Sequence, residues 1–142
     1  MRRLLLTALA GLLPAAASAE PSGAALFSQH CVVCHAAQGE GTPGMAPRLA
    51  GTQAERSATE AGRAYLAQVL VSGLAGPITV AGERFNLAMP AFAQLSDAEL
   101  LALLDHVAGG LNGVNAKMEP AAIAAAREKK LSPNAVRKLR GS

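Results

Sequence analysis

Cys31-Val32-Val33-Cys34-His35 sets two thiols three positions apart with an imidazole directly after the second, and these are the chain's two cysteines. Composition alone would produce this arrangement in roughly one sequence in three thousand. Two Cys in an exported chain ordinarily pair as a disulfide. The trailing His argues for different chemistry, in which each thiol adds to a vinyl group of a haem and the imidazole meets the iron. One covalent haem c held by Cys31, Cys34 and His35 is therefore the expectation. A thiol oxidoreductase would also use Cys-x-x-Cys, but it wants a βαβ context that this chain lacks, and it leaves His35 idle.

Upstream of this stretch, Gly23 to His30 reads as a short helix that delivers the motif. Further forward, Met1-Arg2-Arg3, an apolar run to Ala17 broken by Pro14, and Ala17-Ser18-Ala19 before Glu20 have the layout of a cleaved secretory signal over residues 1–19. The run is shorter than the ~20 residues that span hydrocarbon, so no membrane span is expected after cleavage, and the periplasm is the expected location. Downstream, Gly39, Gly41, Gly44 and Gly51 with Pro43 and Pro47 make residues 36–53 a loop. Thr59 to Val71 returns to helical spacing and ends at Gly73. Residues 74–94 form a second long loop carrying Met89-Pro90. Ser96 with Glu99 is a capping box ahead of Leu100, Leu103, Leu104 and Val107, and Gly109-Gly110 stops that helix. No strand pattern emerges anywhere, so the fold class is all-α, with two long loops wrapped over a cofactor.

The chain has 142 residues, no Trp, three Phe and one Tyr. That length gives one domain, and so few rings leave room for a flat apolar cofactor to supply bulk. The net charge of +3 divides unevenly. Residues 20–113, the expected haem domain, carry four Arg against eight acids, a balance of −4; residues 114–142 carry seven Lys or Arg against two Glu, a balance of +5. The second stretch is a basic C-terminal extension in which Pro120 and Ser132-Pro133 look like helix starts. Two short helices, Ala121 to Lys130 and Asn134 to Arg140, are expected to lie on the acidic body or on a partner, guided by charge rather than by apolar burial. Nothing in this pattern points to nucleic acid.

The order helix, Cys-x-x-Cys-His, glycine-rich loop with Pro47-Arg48-Leu49-Ala50-Gly51, helix, Met-Pro loop and final helix resembles class I cytochrome c over residues 23–110. The resemblance implies the cytochrome c fold, His/Met axial ligation, a partly exposed haem edge and one-electron transfer. It also implies that the Pro47 carbonyl orients His35, that Arg48 can neutralise a propionate, and that Gly23 and Phe27 cross the last helix, where His106 stands in place of an aromatic.

The second axial ligand must come from a segment that reaches the other face. Met45 belongs to the loop on the His35 side and Met118 lies past the last core helix, so Met89 is the best candidate, with Pro90 stiffening its loop; Met45 and Met118 remain as substitutes. Phe85 and Phe92 are expected to cover the Met89 face, and Leu49, Leu66 and Leu70 to pack on the ring. His30 reads as a surface residue. No polar catalytic cluster accompanies Met89, so the expected role is electron carriage rather than catalysis. A haem enzyme or gas sensor with an open distal site is the alternative. The loop from Gly76 to Met89-Pro90 looks like that of cytochromes serving periplasmic dehydrogenases. It suggests a dehydrogenase as donor and a terminal oxidase or another cytochrome as acceptor, docking transiently at the haem edge.

Overall fold

A computed structural model describes residues 20–140; the expected signal segment lies outside them. Ser22 caps the first helix, α1 (Gly23–His30), by accepting from the Ala25 amide at 3.2 Å. After Cys31 the chain makes one further turn, α2 (Val32–His35). The loop that follows leads to α3 (Ala54–Ala58) and α4 (Glu60–Ser72), with Thr59 capping α4 through the Gly62 amide. Gly62 has to be Gly, since a Cβ there would sit 2.1 Å from the Arg56 carbonyl oxygen.

The second loop is more ordered than its sequence suggests. It contains an antiparallel hairpin of β1 (Ile78–Val80) and β2 (Glu83–Phe85), paired Ile78 to Phe85, Thr79 to Arg84 and Val80 to Glu83. Three-residue strands are too short to display a period of two, which is why the sequence reads as loop. Ala81 and Gly82 both have positive φ, 49° and 82°, as the two-residue turn that matches strand twist requires.

Ser96 and Glu99 form the expected capping box at the head of α5 (Asp97–Asp105). The helix then widens into a π turn, His106–Gly110. Helix α1 crosses α5 at Gly23, where a Cβ would lie 2.0 Å from the Ala102 oxygen. One turn on, Phe27 meets His106 with ring centroids 5.4 Å apart. The imidazole thus packs where the resemblance places an aromatic.

The C-terminal extension forms α6 (Pro120–Glu128) and α7 (Pro133–Leu139), each with Pro in its first turn. Its seating differs from the charge-guided docking expected. Met118, Ile123 and Ala126 are buried in the main core beside Leu100, Leu103 and Leu104, and Val136 is buried in a second cluster with Tyr65 and Leu74. Lys129, Lys130 and Lys138 are exposed. Arg127 to Asp97, at 2.7 Å, is the one ion pair among the described residues. Apolar burial therefore holds the extension, because Ile123 and Ala126 share a helical face turned inward while the charges ride outside.

Candidate functional site

The two long loops, α2 and one side of α4 enclose a cavity of about 300 Å³, at the lower end of the range for cofactor pockets. Cys31, Cys34, His35 and Met89 all line it. Cys31 and Cys34 reach it because α2 is a single turn that sets both thiols and the imidazole on one wall. His35 is buried, and its Nδ1 donates to the Pro47 carbonyl oxygen at 2.9 Å, leaving Nε2 free to point at a ligand. Desolvation lowers the imidazole's proton affinity, against the smaller opposite effect of the Pro47 bond. The ring is accordingly neutral at pH 7 and able to ligate a metal.

Burial, and then the neighbouring Cys34, push the Cys31 thiol up to about 11. Thiol–disulfide catalysts need the reverse, a thiol depressed toward or below neutral. This argues against redox use of the pair, while a buried thiol beside an apolar cavity suits covalent attachment.

Met89 is fixed by its backbone. Its N–H donates to the Leu74 oxygen at 2.8 Å and its own oxygen accepts from the Leu74 N–H at 3.0 Å, while Phe92 N–H donates to the Leu70 oxygen at 2.7 Å. The Met-Pro segment is thus stitched to the end of α4, which carries its side chain to the cavity. Of the other two methionines described, Met45 stands exposed at the rim of the same cavity and Met118 is buried beneath α6 away from it.

The apolar wall largely follows the sequence. Leu49, Leu66, Phe85 and Phe92 line the cavity. Leu70 does not; α4 turns Leu66 and Val69 toward the cavity and Leu70 into the core behind it. His30 is half-buried at the rim, edge-on to Phe92 at 6.0 Å. Arg48 is exposed and borders a separate cavity of about 200 Å³ between the first loop and the hairpin. Tyr65 and Arg140 also line the main cavity, and the sequence reading missed both. The donor set fits a covalent c-type haem: two thiols and a neutral imidazole on one wall, a soft thioether in a segment of its own, and apolar walls between.

Comparison with known proteins gives the same direction. The family model described as cytochrome c matches residues 21–110. A cytochrome c-552 from Thermus thermophilus is 46% identical over 108 residues, covering 76% of this chain and 71% of its own length. A second Thermus thermophilus cytochrome c-552 is 47% identical over 89 residues, covering 63% of this chain and 67% of its own.

Proposed function

Since the chain belongs to the cytochrome c family, with one covalent haem c and the role of an electron carrier, we propose that His35 and Met89 are the axial ligands and that the protein works in the periplasm. It would accept electrons from a dehydrogenase and pass them to a terminal oxidase or another cytochrome. The observation that carries the ligand assignment is the single cavity lined by Cys31, Cys34, His35 and Met89, with His35 Nδ1 tied to Pro47. When bound, the haem supplies a one-electron ferric/ferrous couple. The chain's own residues supply the rest. Cys31 and Cys34 anchor, the Pro47 carbonyl sets the His35 tautomer and orientation, and the Leu74–Met89 pairing presents a neutral sulfur that favours the reduced state. Leu49, Leu66 and Phe85 keep water out, which limits reorganisation between redox states.

The location rests on the signal-like layout of residues 1–19. No helix among the described residues is long and apolar enough to cross a membrane. Docking at the cavity mouth is supported by exposed apolar side chains around it, Val33, Met45 and Leu87, which suit a small transient interface.

Met89→Ala tests the assignment. Covalent haem should persist, the reduction potential should fall by at least one step of about 59 mV, a tenfold change for one electron, and added imidazole should bind readily. Retention of the wild-type potential and of the ferric sulfur-to-iron charge-transfer band would exclude Met89 and send the search to Met45 and Met118.

A further inference from the structure

One side chain of the C-terminal extension grips the segment that follows Met89-Pro90. Arg127, half-buried on α6, donates from Nε to Asp97 Oδ1 at 2.7 Å, from Nη1 to the Ala93 oxygen at 2.8 Å and from Nη2 to the Leu95 oxygen. Among the described residues no backbone amide donates to either carbonyl, so the guanidinium is the protein partner of both. The stretch it holds turns tightly. Leu95 N–H donates to the Phe92 oxygen at 3.0 Å, which sends Phe92 to the cavity and Leu95 into the core.

Met89 is mounted from both directions. Upstream, its backbone pairs with Leu74 just past α4, and the extension braces that end: Ser72 Oγ accepts from the Leu131 N–H at 3.2 Å, and the Pro133 oxygen accepts from the Ala75 N–H at 3.3 Å. Downstream, the Phe92 N–H bond to Leu70 ties the segment to α4, and Arg127 fixes the span from there to α5. Pro90 removes one soft backbone dihedral from the link, so the place of Ala93 is passed to Met89 with little slack. Bridging two carbonyls and a carboxylate takes a planar fork, which an ammonium lacks. Asp97 is 55% exposed, and an exposed ion pair contributes little, so the two carbonyl bonds carry the hold. We propose that Arg127 is a positioning residue for the Met89 sulfur, acting through residues 93–95 from outside the cavity.

The proposal rests on Met89 being the axial ligand, and Met89→Ala is run in parallel so that the two can fail separately. Haem-loaded full-length protein is followed by the ferric sulfur-to-iron charge-transfer band, by imidazole affinity and by amide hydrogen exchange at Phe92 and Leu95. Arg127→Met keeps the apolar stem and removes the donors. It should bind imidazole about tenfold more tightly or more, weaken the band and speed exchange at both amides. Arg127→Lys keeps the charge without the fork and should recover only part of the wild-type behaviour. Asp97→Asn leaves both carbonyl bonds in place and should match the wild type. Thr59→Ala removes the cap of α4, lowers stability away from Met89 and should leave imidazole affinity unchanged. The positioning role fails if Arg127→Met binds imidazole like the wild type while Met89→Ala loses the band. It fails equally if Asp97→Asn or Thr59→Ala raises imidazole affinity as far as Arg127→Met does. Full recovery in Arg127→Lys would reduce the residue to a charge and overturn the two-carbonyl hold. Should Met89→Ala keep the band, the ligand assignment itself falls, and this proposal with it.

Discussion

Met89 and Leu74 exchange both of their backbone hydrogen bonds, at 2.8 and 3.0 Å, immediately after α4 ends at Gly73. Gly73 has φ +77°, and a Cβ on it would lie 2.7 Å from the Met89 oxygen. Gly73→Ala should therefore destabilise the fold by more than about 1 kcal/mol and disturb Met89 while leaving Cys31, Cys34 and His35 alone. Denaturant unfolding and imidazole titration together check this: covalent haem should be retained and imidazole affinity increased. Unchanged imidazole affinity would show that the pairing does not govern the sulfur's position.

Changing both Cys31 and Cys34 to Ser should abolish covalent haem. The cavity and its apolar walls would then lack their filling, and thermal unfolding followed by circular dichroism should lose its sharp transition. A colourless double variant that still melts cooperatively would show that the polypeptide does not need the cofactor to fold.

Ile123 has no exposed surface, so Ile123→Ala should cost about 2–5 kcal/mol. Because apolar contact seats the extension, proteolytic cleavage beyond Val114 should run at nearly the same rate at low and high salt, even though the Debye length contracts from ~10 Å at 0.1 M to ~3 Å at 1 M. Marked acceleration at high salt would restore charge as the principal force.

Glu99 accepts from the Ser96 backbone N–H at 2.7 Å, and that bond holds its carboxyl below the ordinary value of 4.5. A carboxylate more acidic in the folded chain adds stability above its unfolded value and loses it as pH falls through the folded one. Stability should therefore decline in acid below about 4.5, and Glu99→Gln should flatten that decline. Parallel acid-unfolding curves for the two proteins would dissociate the capping box from acid sensitivity.

Much of the site could be read from short-range sequence features. Cys31 to His35 occupies one helical turn, Met89-Pro90 announces itself by composition, and Ser96 with Glu99 forms a local box; each is complete within a few residues. What escaped depends on contacts far apart in sequence. The hairpin is set by pairing Ile78 with Phe85 across a turn lacking the usual Asn-Gly or Asp-Gly signal. The inward face of α6 could have been noticed in the spacing of Ile123 and Ala126, but the excess of Lys and Arg drew attention to charge. Arg140 carries no local sign of its position, because only the packing of Val136 on Tyr65 and Leu74 brings it to Thr79. Arg48, adjacent to Pro47 in sequence, points away, since neighbouring positions in a loop need not share a face.

The hydrogen bond from Arg140 to Thr79 joins residues 61 positions apart and divides the cavity's rim into two kinds of wall. Cys31, Cys34 and His35 share one short stretch of chain, so local structure alone assembles their side of it. The side that Arg140 completes exists only while Val136 stays packed on Tyr65 and Leu74. Local opening of α7 would thus unfasten one edge of the cavity and leave the attachment wall standing.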